Sequence, residues 1–347
     1  MLDTALTGAR RLRLSLMERV EERLRSFLAA EATRWSRVDH RGEAPVEAVS
    51  ALVRAGGKRL RPAFCVTGFL AAGGDLGDPV IVGAAAGLEL VHAGALIHDD
   101  VLDAADSRRG APAVHTRHIA EHRARGWRGE SRRYGEGVAI LSGDLASVYA
   151  GELAGDLPPA ARRVWNELVT EIAIGQYLDL AVAAESVIEP ELSRWIAVCK
   201  SGRYSIHRPL LLGAAVAGRD DLAPEFAEYG EALGEAFQLR DDLIDAFGDS
   251  RAAGKPVGND LDQHKMTLLL AWAAQRDEQV RSLLDEPEWD TVRIRARLAA
   301  TGIGDQVERH IDDLVGRARD AIARAPVEAA WRTELAEMAS EVAYRDR

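Results

Sequence analysis

Apolar residues recur at a helical period along almost the whole chain, and no stretch alternates apolar with polar as a half-buried strand would. That pattern confines the chain to helix packed on helix. The spacing predicts helices at roughly 6–35, 45–54, 61–72, 79–104, 137–154, 159–184, 190–216 and 224–247, with several more after Lys265. Aromatic residues are only 5%, while Ala, Leu, Arg and Glu are abundant, a mix of good helix formers. Glycine breaks fall at 56–57, 73–74 and 254–258, and the segment 122–137 reads as an exposed basic loop. No repeat or linker divides the 347 residues. A single all-α domain over 1–347 is therefore expected.

Charge narrows the function classes. With 44 basic and 55 acidic residues the net charge is −11, the wrong sign for a nucleic-acid binder, so no nucleic-acid partner is expected. Small anionic substrates remain compatible, because local clusters of cations decide their binding. Cys65 and Cys199 lie far apart among apolar residues and read as buried thiols, with neither a disulfide framework nor a zinc site. The first two dozen residues are basic and amphipathic without a continuous apolar core, which suits a first helix and not a secretory signal. The apolar run 79–97 carries Glu89 and His92 and is rich in Ala and Gly, as a core helix would be. No stable membrane insertion and a cytoplasmic location are expected.

Two acidic clusters stand out. Asp99 and Asp103 are one helical turn apart, and so are Asp241 and Asp245, each pair following an apolar stretch. Two carboxylates on one helix face repel unless a cation lies between them. Mg²⁺ meets that need with oxygen ligands and shares such sites with phosphates. A solvated acidic patch at a helix end is the plain alternative for one motif, and its recurrence on a second core helix weighs against it. Packed helices lie about 8–10 Å apart and, splayed slightly, would leave room for metals and a diphosphate. Cations accompany them. GGKRLRP places Lys58 and Arg61 beside a Gly-Gly turn before a helix, either an anion site or an ordinary basic loop. Arg108 and Arg109 close the first acidic motif, as substrate cations or as charge balance. GKPVGNDLDQHK holds Lys255, Asp260 and Lys265 in what alone reads as a solvated connection. His92 and His98, on an apolar helix, read first as satisfied core residues.

Together these segments resemble the trans-isoprenyl diphosphate synthases, or polyprenyl synthetases. The resemblance runs in order through GGKRLRP, HDDVLD, RRG, GQYLD, KSGRY, FQLRDDLID and GKPVGNDLDQHK, with wording most like bacterial geranylgeranyl diphosphate synthases. It implies an all-α, single-domain helical barrel or bundle of the isoprenoid synthase type around a central apolar cavity, and a homodimer. It implies Mg²⁺-dependent elongation of an allylic diphosphate (dimethylallyl, geranyl or farnesyl) by isopentenyl diphosphate. By resemblance Asp99, Asp103 and Asp241 are Mg²⁺ ligands, with Asp245 and Asp260 assisting. Arg108, Lys200, Lys255 and Lys265 hold the allylic diphosphate. Lys58, Arg61, His92 and Arg109 hold isopentenyl diphosphate. Gln176 and Asp179 support the metal end, and Ser201 and Gln238 offer oxygens near the carbocation. Ser201 stands where many members have Thr, and MTLLL follows Lys265 where many have TLP. The C-terminal VAYRDR shows no clear substrate contact.

In this family, residues four, five and eight before the first Asp form a floor that stops chain growth; here they are Ala95, Gly94 and Val91. The first two are too small to block, so geranylgeranyl diphosphate is the expected product. A farnesyl or longer-chain synthase is the alternative product class. A terpene cyclase has no use for the Lys58 and Arg61 pocket, and a non-catalytic subunit is disfavoured by two intact acidic motifs.

Overall fold

A computed structural model describes residues 8–248, 258–286 and 288–345. Its helices are α1 (Gly8–Ser36), α2 (Ala44–Arg54), α3 (Leu60–Ala71), α4 (Pro79–Leu102), α5 (Val114–Ala124), α6 (Ser131–Leu153), α7 (Pro159–Glu185) and α8 (Pro190–Ala197). A π-helical segment, Val198–His207, leads into α9 (Arg208–Val216) and α10 (Ala223–Phe247). Then follow α11 (Asn259–Asp262), α12 (Leu268–Arg276), α13 (Glu278–Leu284), α14 (Thr291–Thr301), α15 (Ile303–Arg324) and α16 (Ala329–Ala343). Among the described residues the extended pairing is limited to a two-residue antiparallel hairpin, Ser107–Arg108 with Ala111–Pro112. The all-α expectation is met.

Two local expectations are corrected. The segment 122–137 is mostly helical, because α5 ends only at Ala124 and α6 already begins at Ser131. What marks the inner face of α5 is a row of buried histidines, His115, His118 and His122, where an aliphatic row would have been legible. The stretch 190–216 is not one α-helix, since 198–207 winds as a π-helix. The glycine-rich break expected at 254–258 lies, apart from Gly258, outside the described residues.

The described residues group into two compact units, the larger running from 159 onward together with 67–74 and the start of α1, and the smaller comprising 11–66 with 75–158. In the smaller unit α4 is the core. Asp78 caps its start by accepting the Val80 N–H at 2.8 Å, with Pro79 in the first turn. Leu88, Leu90 and Ile97 are fully buried, each contributing roughly 1.5–3 kcal/mol of apolar transfer. α4 is the one described helix long and apolar enough to cross a membrane, yet 78% of that window is buried inside the protein, as in a core helix. It packs closely on α6 where Gly94 meets the carbonyl of Gly143 and where Gly143 meets the ring of His98. His98 Nε2 lies 3.0 Å from the Ile140 carbonyl, so this histidine is a satisfied packing residue.

In the larger unit α10 is central. It packs on α15, whose Val307, Ile311, Leu314, Ala318 and Ile322 form a buried seam. Tyr229 of α10 is buried and donates its hydroxyl to the Leu335 carbonyl of α16 at 2.8 Å. The π segment lies on α10 through Gly202 and Gly234, so close that a Cβ on Gly202 would be 2.7 Å from the Gly234 carbonyl carbon. On its other side a Cβ on Gly175 of α7 would be 3.2 Å from Lys200. Glycines thus bring the backbone of Lys200 and Ser201 against both α7 and α10. Cys65 and Cys199 are both free and buried, as expected.

Candidate active site

Both acidic motifs lie at helix C-termini. Asp99, Asp100 and Asp103 end α4, Asp103 being the C-cap, and Asp241, Asp242 and Asp245 fall in the last two turns of α10. Neither last turn holds a basic residue. A carboxylate at the negative end of a helix dipole is unfavourable by roughly 0.3–1 kcal/mol. Three at each end therefore call for compensating charge.

At the end of α4 that charge comes from the hairpin. Arg108 donates from Nε to Asp100 Oδ1 at 2.7 Å, and its Nη2 lies 3.6 Å from Asp99 Oδ2. Burial raises the pKa of Asp100, with Arg108 opposing that rise. One face back along α4 sits a dense cationic group. Arg59, at the GGKRLRP turn, donates to buried Glu89 at 2.6 Å and to the Val53 carbonyl at 2.7 Å. Arg109 donates to the carbonyls of Leu52 (3.0 Å) and Gly56. Its guanidinium lies where a Cβ on Gly57 would be, 2.9 Å away, so this turn needs glycine for space as well as for its φ of 143°. Burial, reinforced by Arg61, Arg109, Arg108 and Arg59, holds the His92 imidazole well below its ordinary value, so the ring is neutral. Burial also raises Glu89, whose carboxyl is opposed by Arg59, Arg61 and Arg109. Lys58 is exposed at the turn. Arg59, Arg61 and Arg109 face Glu89, with Glu21 also meeting Arg59, and this arginine-rich group is of the kind an anion site requires.

In the larger unit a cavity of about 120 Å³ gathers Asp179, Lys200, Ser201, Gln238, Asp242, Asp260 and Lys265. They come from α7, the π segment, α10, α11 and the turn before α12. Lys200 Nζ meets Asp179 Oδ2 at 2.7 Å. Gln238 donates to Asp242 Oδ1 at 2.7 Å, and the Asp260 N–H donates to Asp245 Oδ2 at 3.1 Å. Burial, with Asp260 and Asp241 nearby, raises Asp242 well above the usual carboxylate range. Asp242 Oδ2 and Gln176 Nε2 are buried without a hydrogen-bond partner. Asp242 lines the cavity, and an orphaned polar atom there points to a ligand or an ordered water. Asp241 does not line this cavity and instead meets Arg345 at 2.7 Å.

Comparison with known proteins supplies the family. Residues 44–293 match the model for polyprenyl synthetases. The chain belongs to the polyprenyl synthetase family. It is 34% identical over 259 residues to a short chain isoprenyl diphosphate synthase of Methanothermobacter thermautotrophicus, covering 72% of this chain and 73% of that protein. It is 34% identical over 285 residues to the geranylgeranyl diphosphate synthase of Mycobacterium tuberculosis, covering 78% and 75%. The crystal structure of geranylgeranyl pyrophosphate synthase from Corynebacterium glutamicum, complexed with isoprenyl diphosphate and magnesium, superposes with a TM-score of 0.88 at 35% identity, covering 95% and 98% of the two chains. That solved fold is the all-α isoprenyl diphosphate synthase fold, and this polyprenyl synthetase shares it.

For this family member the structure brings together most of the residues singled out from sequence, within each unit. Arg61, His92, Arg108 and Arg109 are electrostatic neighbours in one, and six of the expected site residues share the cavity in the other. Lys255 lies outside the described residues. Sequence reasoning missed Arg59, Glu89, Asp242 and Arg345. Glu89 had a signal, as the lone acid within the apolar run 81–97, whereas Arg345 had none. The donor set suits magnesium: hard carboxylate oxygens one turn apart on each helix, with Asp260 beside Asp245. Among the described residues no three acidic, histidine or cysteine side chains form a closed cage, and Mg²⁺ is ordinarily held by one or two carboxylates together with phosphates.

At Gly94, one of the three expected floor positions, α4 lies close against α6. A Cβ there would meet Gly143 O at 2.9 Å and Ala146 Cβ at 3.3 Å, so helix packing against α6 sets its size. Val91 is buried and Ala95 half-buried, which leaves Ala95 as the position where added bulk is least obstructed.

Proposed function

We propose that this trans-prenyltransferase joins isopentenyl diphosphate to an allylic diphosphate and releases geranylgeranyl diphosphate. The single observation that carries the reading is the cavity in which Lys200, Lys265, Asp179, Asp260, Ser201 and Gln238 converge from separate segments. Lys200 and Lys265 hold the allylic diphosphate, assisted by Arg108 and Lys255. Magnesium bound by Asp99 and Asp103, and by Asp241, Asp245 and Asp260, supplies Lewis-acid neutralisation of the leaving group. The Arg61, Arg109 and Lys58 cations bind isopentenyl diphosphate, and a neutral His92 donates a hydrogen bond without adding charge. Ser201 and Gln238 present oxygens to the allylic cation, and buried surroundings exclude the water that would quench it.

Product length is the finer part of the proposal. Matching relatives also include a farnesyl synthase from Geobacillus stearothermophilus and a nonaprenyl synthase from Mycobacterium tuberculosis. The small Ala95 supports growth beyond farnesyl. The experiment is incubation of the purified chain with Mg²⁺, isopentenyl diphosphate and each allylic primer, with product sizing. Linear C20 product supports the proposal. Cyclised product would indicate a cyclase, and absence of turnover a non-catalytic subunit. A homodimer is part of the proposal, supported by Leu141 and Val148, seven residues apart on α6 and each about two-thirds exposed. Light scattering at the mass of one chain would reject it.

A further inference from the structure

Arg345, the last residue the structure describes, is held from several sides. Arg240 of α10 donates from Nε to the Ala343 carbonyl at 2.7 Å while its other nitrogens hold Glu308 at 2.6 Å. Tyr344 donates its hydroxyl to Asp312 at 2.7 Å. The chain is thereby tied to α10 and α15 immediately before Arg345. The Arg345 guanidinium then stacks 3.9 Å from the centre of the Phe237 ring, donates to the Phe237 carbonyl at 3.2 Å, and meets Asp241 Oδ1 at 2.7 Å. Its side chain is 11% exposed, and its Nε is buried with no hydrogen-bond partner.

We infer that Arg345 is a built-in competitor for metal at Asp241, so that divalent metal binds there only as this arginine lets go of α10. This rests on reading Asp241 as a metal ligand. The physical reason is exclusion of like charge: a guanidinium 2.7 Å from a carboxylate oxygen and a divalent ion on the same oxygen repel at contact distance. Its neighbour Asp242 is engaged differently, by the uncharged amide of Gln238. The orphaned Nε shows that the closed position leaves part of the guanidinium unsatisfied, which favours exchange over permanent closure. The C-terminus therefore reports whether the metal end is loaded.

The test uses the full chain without turnover. Mn²⁺ binding is titrated by electron paramagnetic resonance in the presence of inorganic pyrophosphate, for wild type, Arg345→Gln, Arg345→Lys and Asp241→Asn. Arg345→Gln should bind Mn²⁺ about tenfold more tightly, Arg345→Lys should stay near wild type, and the gain should vanish when Arg345→Gln is combined with Asp241→Asn. In wild type, Mn²⁺ with pyrophosphate should raise amide exchange at 341–345. Equal Mn²⁺ affinity for wild type and Arg345→Gln, both folded by circular dichroism, would overturn the competition and indicate a purely structural anchor. Unchanged affinity in Asp241→Asn alone would instead overturn the reading of Asp241 as a ligand, a separate outcome.

Discussion

The ends of α4 and α10 carry nearly the same acidic spelling, HDDVLD and RDDLID, yet their charges are balanced in different ways. Beside α4 the counter-charge is local: Arg108 reaches Asp100 from the hairpin that immediately follows the helix. Beside α10 it comes from afar: Arg345 reaches Asp241 from the segment after α16, and the Asp260 backbone reaches Asp245 from α11. The difference teaches that one motif is self-contained in its neighbourhood of sequence, while the other works only as well as distant segments are packed.

The strongest challenge to that comparison is to remove one carboxylate from each. Asp99→Asn and Asp241→Asn should each lower kcat by about a thousandfold, if both motifs serve one reaction. A steady-state assay with isopentenyl diphosphate and an allylic primer reads this, and a normal rate for either variant breaks the functional equivalence.

Next in size is the local ion pair. Arg108→Met leaves the buried Asp100 carboxylate without its guanidinium partner and should lower unfolding free energy by about 3 kcal/mol. An unchanged denaturant midpoint would show that the hairpin pairing is ornamental.

For the long-range motif the equivalent weak point is backbone approach. Gly234→Ala places a Cβ within 3 Å of the Gly202 backbone and should destabilise by about 1–3 kcal/mol. Because it pushes the segment carrying Lys200 and Ser201 off α10, KM for the allylic substrate should rise as well. Stability lost with KM intact would separate packing from the site.

A smaller contrast lies in pH. Against burial, hydrogen bonds and charges from Arg208 and Arg203 hold Glu171 below its ordinary 4.5, and bonds from His310 and Arg194 do the same for Glu235. Burial pushes His207 from 6.5 down to about 3. All three are depressed in the folded state, so their stabilisation is present above the unfolded values and is lost as pH falls, first below 6.5 for His207 and then below 4.5. Glu89 beside α4 has the opposite sign: its raised value favours the fold at low pH and loses that contribution as pH rises. Thermal unfolding between pH 7 and 4 should therefore fall with acid, and His207→Asn should flatten the upper part of the decline. A slope identical to wild type in His207→Asn would remove this distinction.

The smallest expected effect is on product size. Ala95→Phe should shift the product ratio toward shorter chains by about tenfold with the fold intact, as a steric change in an apolar channel does. An unchanged ratio, read by chromatography, would reject Ala95 as the floor.

Much of this was legible before any coordinates. Helical periodicity identified α1 to α4, α7 and α10, because each buries an aliphatic stripe. It failed at α5, whose inner row is histidine, and at 198–207, where π winding has no periodic signature distinct from an α-helix over so few turns. The motif residues Asp99, Asp241, Lys200 and Lys265 were visible because charge in an apolar setting is costly and therefore conspicuous. Arg59 and Asp242 were hidden beside stronger-looking neighbours.

By itself the sequence determined an all-helical chain, the two acidic helix ends and the cationic turn at 56–62, since periodicity, dipole and local charge act over a few residues. Only tertiary structure decided that Gly94 is a packing contact, that Asp242 rather than Asp241 lines the cavity, and that the last described arginine sits on a motif carboxylate. Those outcomes depend on which backbones approach within van der Waals distance, and residues over a hundred positions apart carry no mark of their pairing.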